Sequence, residues 1–305
     1  MDFQLKILGA NSATPAYGRH QTSQLLTIDK YHFLVDCGEG TQMQLVKFKA
    51  RLSKISHIFI SHLHGDHFFG LIGLLTSMSL NGRESDLHIY APPGLGEIIT
   101  IHLKHSGTVF SYKLHFMPLE QTGITIYENE LLTVGTIPLD HRIPCYGFVF
   151  REKPKPYRID KSKILANKLS IQDMHDLKAG KDLYDSHGNL RFKNKEFTLP
   201  PRKSRSYAYC SDTRYNLQLV DWIQEVDLLY HEATFLKEKT DEALSRYHST
   251  AEQAAIIASK ARVQQLIIGH YSSRYKDLTP FLKEAQSIFP PTSLAIEGED
   301  HSIAE

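Results

Sequence analysis

His62-Leu63-His64-Gly65-Asp66-His67 places three imidazoles and a carboxylate within six residues. The apolar run Lys54 to Ile60 (KISHIFI) leads directly into it, so the cluster follows a strand. Packing gives no reason for such crowding, because each polar group buried in one turn needs its own partner. If the strand continues, His62 and His64 point the same way, and a turn at Gly65 swings Asp66 and His67 toward a second centre. Nitrogen and oxygen ligands at this density suit Zn2+, with Mn2+ or Fe2+ as alternatives.

Working outward, the same pattern of a β-branched run ending in a polar group recurs. Leu131 to Leu139 leads into Asp140-His141, and Ser206 to Cys210 into Ser211-Asp212. Val226 to Tyr230 leads into His231-Glu232, and Gln265 to Ile268 into Gly269-His270. These runs predict buried strands whose polar ends gather at one sheet edge, where α/β folds place their sites. Phe68 to Ser79 and Ala251 to Ala261 carry helical patterns, and Ser249 with Glu252 has the spacing of a capping box. Gln24 to Ile28, the turn Asp29-Lys30 and Tyr31 to Val35 predict a hairpin. Strands interleaved with helices predict stacked α/β layers.

The 305 residues carry 35 Lys and Arg against 34 Asp and Glu, a net charge of +1 that excludes a uniformly basic nucleic-acid coat. The average hides a division. Arg151 to Arg205, punctuated by KPKP, HGN and LPP, holds 15 basic and 7 acidic residues, a net of +8, leaving −7 for the rest. A polar insertion of this length in a compact domain is functional or disordered. Cys37, Cys145 and Cys210 are too few and scattered for a disulfide framework, which fits a reduced, cytoplasmic compartment. MDFQLKI lacks the basic n-region of a signal peptide. Phe68 to Leu80 is too short and too interrupted by Gly and Ser to span a bilayer, so a soluble protein is expected. Histidine, at 17, outnumbers Phe and Tyr at 15 each, which directs attention to metal binding and proton transfer.

HLHGDH resembles the HxHxDH signature of the metallo-β-lactamase superfamily, and His141, Asp212 and His270 follow in that family's order. His231-Glu232-Ala233-Thr234 and His248-Ser249-Thr250 resemble the HEAT and HST motifs of the ribonuclease Z family of tRNA 3′-processing endonucleases. Leu8 to Pro15 (LGANSATP), Val35 to Thr41 (VDCGEGT), Ser211 to Arg214 and Gly269 to Tyr275 are similar to further motifs of that family. The resemblance spans nearly the whole chain. It implies an α/β fold, the metallo-β-lactamase-like αββα four-layer sandwich, with a catalytic domain at 1–150 and 206–305 and a basic exosite arm inserted at 151–205. It departs from the family in two places. No Gly-Pro-rich motif stands between Ala166 and Lys181, and Pro15 to His20 reads PAYGRH where the family often has PxKxRN.

By the same resemblance, one zinc takes His62, His64 and His141, the other Asp66, His67 and His270, and Asp212 bridges them. The implied cofactor is two Zn2+ per subunit, with Mn2+ as a substitute. The implied reaction is removal of the 3′ trailer from precursor tRNA, leaving a 3′-OH on the tRNA and a 5′-phosphate on the trailer. Asp66 orients or deprotonates the attacking water, and His248 protonates the leaving 3′-oxygen with Glu232 fixing its tautomer. Arg214 and Arg274 offer bidentate phosphate contacts, or equally structural pairs to carboxylates. Precursor tRNA is the implied partner, met by a homodimer in which one subunit's arm presents RNA to the other's site. Two other readings use the same text: a di-zinc phosphodiesterase or arylsulfatase-like hydrolase of small esters, and a non-catalytic RNA-binding relative. The first has no use for a basic arm of this size, and the second usually lacks several of the ligands retained here.

Overall fold

The computed structural model describes residues 2–304. Two seven-stranded sheets form the frame. The first runs in the order Asp300–Ser302, Phe3–Gly9, Ser23–Ile28, Tyr31–Cys37, Ile55–Phe59, Leu87–Ala91 and Leu114–Pro118. The second runs Thr292–Leu294, Gln265–Gly269, Leu228–Glu232, Ser206–Cys210, Tyr146–Glu152, Leu132–Pro138 and Thr125–Glu128. Alternation along each strand explains how they stack. Leu34, Ile58 and Ile89 point one way and share a core with Leu71, Leu74, Leu75 and Met78 of the helix Leu71–Leu80. Their neighbours point the other way, toward the second sheet. Phe33 lies 5.6 Å from Phe150 and Phe59 lies 5.4 Å from Phe148, ring centre to ring centre. Each such side chain withdrawn from water contributes about 1.5–3 kcal/mol. Outside the second sheet lies the helix Ala251–Lys260, whose alanines and Ile257 are buried beside Leu228–Glu232 and Gln265–Gly269. The order of layers is helix, sheet, sheet, helix, the αββα arrangement.

Parallel pairing positions the site. Cys210 stands opposite His231, and His231 opposite Ile268, on three adjacent parallel strands. Their carboxyl ends therefore emerge side by side and deliver Asp212, Glu232 and His270 to one edge. Among the described residues, no helix is long and apolar enough to cross a membrane.

Several local expectations need correction. The strand after Ile55 ends at Phe59, so His62 and His64 lie in a loop rather than on a continuing strand. The helix expected from Phe68 is two, Gly65–Phe68 and Leu71–Leu80. The strand expected at Val226 begins at Leu228 and runs through Glu232 itself. The helix Ala251–Lys260 is capped one residue later than the Ser249 spacing suggests. Thr250 Oγ1 accepts from the Gln253 N–H at 3.2 Å, and Gln253 Oε1 accepts from the Thr250 N–H at 3.0 Å. Ser249 instead donates to the Thr213 carbonyl at 2.8 Å. The hairpin forms as Ser23–Ile28 and Tyr31–Cys37, with Asp29 in the left-handed region that its turn requires.

The chain divides into two compact units. The larger takes residues up to Tyr127, Val134–Phe150 and Ser206–Ala304; the smaller takes Glu128–Thr133 and Arg151–Arg205. The smaller unit has a core of its own, Leu169, Leu177, Leu183 and Phe197, with Ile159, Ile164, Met174 and Phe192 packed against it. Two short antiparallel pairs, Arg158–Ile159 with Thr198–Leu199 and Leu183–Tyr184 with Leu190–Phe192, hold its chain. Buried Asn194 ties them together, donating from Nδ2 to the Leu177 carbonyl at 2.7 Å. Ser170 and Asp173 form a capping box on the helix Ile171–Lys178.

Candidate metal centre and active-site cleft

Six side chains that could ligate a metal fall into two groups around Asp212. In the first, His64 Nδ1 lies 3.0 Å from His62 Nε2 and 3.1 Å from His141 Nε2. Asp212 Oδ2 faces this group, 3.6 Å from His62 Nε2 and 3.8 Å from His141 Nε2. In the second, His67 Nε2, His270 Nε2 and Asp66 Oδ2 stand 3.3–3.5 Å apart. Asp212 Oδ1 faces that group, 3.1 Å from His270 Nε2 and 3.4 Å from His67 Nε2. One carboxylate thus turns an oxygen to each group. All seven residues proposed from sequence as metal ligands are brought together.

The outer hydrogen bonds say which nitrogen carries the proton in four of the five rings. Ionised carboxylates only accept. Asp36 Oδ2 therefore accepts from His67 Nδ1 at 2.8 Å, from the Ser61 hydroxyl at 2.9 Å and from the Tyr209 hydroxyl at 2.5 Å. Ser61 Oγ, its proton committed to Asp36, accepts from His62 Nδ1 at 3.0 Å. The other side repeats the device. The Thr234 hydroxyl donates to Glu232 Oε2 at 2.8 Å, so Thr234 Oγ1 accepts from His270 Nδ1, also at 2.8 Å. His141 Nδ1 donates to the Tyr247 carbonyl at 3.2 Å. His62, His67, His141 and His270 are in this way left with bare Nε2 lone pairs pointing at the centre.

Lone pairs about 3 Å apart repel unless a cation lies between them, and tetrahedral zinc takes nitrogen at about 2.0–2.1 Å, which sets neighbouring ligands at comparable separations. Buried Asp212 Oδ1 has no hydrogen-bond partner among the described residues, an expensive state for a carboxylate without a metal. The donor set fits a metal centre. Local sequence serves it: a side chain at Gly65 would meet the ring of exposed Phe69, so glycine lets that ring lie against the turn between His64 and Asp66.

Glu232 and His248 stand beside this centre. Glu232 is fully buried, and Oε1 accepts from His248 Nδ1 at 2.9 Å, the Ser249 N–H at 3.0 Å and the Thr213 N–H at 3.2 Å. Burial raises the Glu232 carboxyl, but His248, with a smaller contribution from His270, holds it below the usual carboxylate range. Burial likewise pulls the His248 imidazole down, and the Glu232 carboxylate outweighs it, holding His248 up at about 9. With Nδ1 on Glu232, the Nε2–H of His248 is free for another acceptor.

A cleft of about 520 Å³, the size of a ligand pocket, opens over these groups, lined by Thr14, Asp66, Asp212, Phe235, His248 and His270 among others. Of the two arginines considered for phosphate, Arg274 lines the cleft and pairs with Glu242 at 2.7 Å. Arg214 is bound to Asp140 Oδ2 through Nε at 3.0 Å and Nη2 at 2.8 Å, and lies over the Tyr247 ring. Its geometry is that of a structural pair. The three cysteines are free and buried. Sequence reasoning missed the orienting roles of Asp36, Ser61 and Thr234, and the cleft arginines Arg142 and Arg246. Asp36 and Thr234 lay in motifs already singled out, VDCGEGT and HEAT, but nothing in those motifs marked them as partners of the histidines.

Residues 3–156 match the family model described as anti-Pycsar protein Apyc1. The ribonuclease Z of Cytophaga hutchinsonii is 53% identical across the whole of this chain and 97% of the relative. The crystal structure of human short-form tRNase Z superposes with a TM-score of 0.69 at 27% identity, covering 99% of this chain and all of that one. A metallo-β-lactamase fold protein from Bacillus subtilis superposes with a TM-score of 0.70 over 99% of this chain and all of its own, at 17% identity that speaks for the fold alone. The first half carries the HxHxDH loop and His141, while Asp212, Glu232, His248 and His270 all lie beyond residue 156. By that half the chain falls within the family described as anti-Pycsar protein Apyc1, and by its full length, HEAT and HST motifs included, it belongs to the ribonuclease Z family.

Proposed function

We propose that the chain is a zinc-dependent endoribonuclease that removes the 3′ trailer from precursor tRNA, leaving a 3′-OH on the tRNA and a 5′-phosphate on the trailer. One observation carries this reading: two nitrogen-rich ligand groups share Asp212 at a cleft where Glu232 holds a proton on His248. His62, His64 and His141 would hold one Zn2+ and Asp66, His67 and His270 the other, with Asp212 turning an oxygen to each group, and Mn2+ would be a substitute. When bound, the cations neutralise charge on the phosphodiester and lower the pKa of a water from 15.7 toward about 7. Asp66 accepts a hydrogen bond from the attacking water and orients it. His248 presents Nε2–H to the departing ribose 3′-oxygen and gives up that proton. Held at about 9, it is charged at neutral pH and ready to do so.

Membership of the ribonuclease Z family supports tRNA as substrate. The unit around 151–205, with its net charge of +8, supports an arm that grips the phosphate backbone while residues 1–150 and 206–305 carry the chemistry. We further assign a homodimer, each arm serving the partner's site, and a cytoplasmic location in keeping with three free cysteines. The test is purified protein with zinc, assayed on precursor tRNA and on bis-p-nitrophenyl phosphate. Cleavage after the discriminator base is expected. Activity on the small ester alone would favour a small-ester hydrolase, and activity on neither a non-catalytic RNA binder. Molar mass in solution tests the dimer.

A further inference from the structure

The cleft arginines differ in how they are engaged. Arg246 and Arg274 both pair with Glu242, at 3.1 and 2.7 Å, so two guanidiniums share one carboxylate on the Phe235 side of the cleft. Arg142 is different. It directly follows His141, is exposed, and makes no hydrogen bond or ion pair among the described residues. It also lines a second hollow of about 360 Å³, walled by Thr122, Leu139, Ile143 and Pro144. No carboxylate lines that hollow, and Arg142 is the residue common to both spaces.

An exposed cation with no partner, set between a catalytic cleft and an acid-free hollow, is suited to a second phosphate of a continuous strand. His248, which serves the leaving 3′-oxygen of the tRNA, stands between the two sides, its ring 5.6 Å from His141 and 6.1 Å from Phe235, over which the Arg274 guanidinium lies. The strand is assigned with its tRNA end toward Phe235 and Arg274 and its trailer past His141 and Arg142, a polarity that the trailer-length comparison below reads directly. We propose that Arg142 and the hollow behind it form a subsite for the start of the trailer, in which the guanidinium binds the phosphate joining the first and second trailer nucleotides. The subsite rests on the endonuclease reading above.

The experiment compares precursors whose trailers are one, two or several nucleotides long, because a one-nucleotide trailer lacks that phosphate. For the wild type, kcat/KM is expected to rise about ten- to a hundredfold from one to two nucleotides, the value of one charge-assisted contact, and then level off. Arg142→Ala should erase the step, and Arg142→Lys should keep most of it. The salt dependence of kcat/KM on longer trailers should also fall by about 0.7 in log–log slope for Arg142→Ala. A loss that is the same for all trailer lengths, or a wild type with no step, overturns the subsite alone. A wild type that cleaves no precursor overturns the endonuclease reading and the subsite with it.

Discussion

Replacing Glu232 by Gln tests the division of labour between a structural anchor and a device that sets the charge of His248. The side chain keeps its length and can still accept from His248 Nδ1 and the Ser249 N–H, but it loses its negative charge. The gap between about 9 and the ordinary histidine value of 6.5 corresponds to about 3 kcal/mol. Without the carboxylate, burial weighs more and His248 moves down toward 6.5, Asp212 and Asp66 still raising it. If His248 is the general acid, only its protonated form works. At pH 8 that form falls from about 90% to as little as about 3% of the enzyme at a value of 6.5, a loss of up to about thirtyfold, whereas at pH 6 the same change costs less than twofold. Bound cations lower both values and slide this window toward acid, but the separation between the two enzymes persists at equal metal loading. The assay is kcat/KM on precursor tRNA from pH 5.5 to 9, with zinc content measured for each sample. An alkaline limb displaced downward is the expected result. A loss equal at every pH, with zinc retained, would refute the proton-setting role and leave Glu232 as an anchor for Thr213, Thr234 and Ser249.

Other perturbations probe the centre and the arm. Asp36→Asn keeps an acceptor for the Ser61 N–H but weakens the hold on His67, and should lower zinc affinity about ten- to a hundredfold in a competition titration. Stripping the metal with a chelator should lower the thermal midpoint, since zinc at a thousand times its dissociation constant stabilises the fold by about 4 kcal/mol; calorimetry with and without chelator reads it. Leu177→Ala removes a fully buried side chain from the core of the smaller unit and should cost about 2–5 kcal/mol there. Hydrogen exchange should then quicken in 158–199 while the strands Gln265–Gly269 and Leu228–Glu232 keep their protection, and uniform quickening would show that the unit does not fold on its own core.

The candidate metal ligands could be gathered from sequence because each sits at or just past a run of apolar, strand-forming residues, and parallel strands carry such ends to one edge. The residues that orient them could not. Asp36 serves His67 across 31 positions of sequence, and Thr234 serves His270 across 36. Serine and threonine are too common for a hydroxyl between a carboxylate and an imidazole to stand out before the strands are aligned. The cap was misplaced because Ser249 and Thr250 both have an acceptor side chain three residues ahead, and only the Ser249 bond to the Thr213 carbonyl decides between them. The order inside the arm was hidden for another reason. Its strands are two or three residues long and its helices no more than eight, too short for a hydrophobic period to repeat.

The charges of the arm are sorted by use. Six of its seven acids, all but exposed Glu196, are engaged in local structure: Asp160 accepts from the Ser162 N–H, Asp173 from Ser170, Asp182 from Asn194, and Asp185 from His187 and Asn189. Glu152 is buried against Arg205 at 2.7 Å, and Asp176 holds Lys181 at 3.1 Å. Lys161, Lys168, Lys178, Lys193 and Lys195, by contrast, are exposed and make no ion pair among the described residues. Most of the acids shape the chain and these lysines face water, so positive charge lies where a phosphate backbone could reach it. Each lysine that meets a tRNA phosphate releases a counterion and adds about 0.9 to the salt slope on duplex backbone. A small phosphodiester has one phosphate and no reach beyond the cleft. Precursor tRNA cleavage should therefore fall steeply with salt while hydrolysis of bis-p-nitrophenyl phosphate falls little, and replacing Lys193 and Lys195 by Ala should flatten the first slope by up to about 2. If the two substrates share one slope in the unaltered protein, the lysines of the arm take no part in holding RNA.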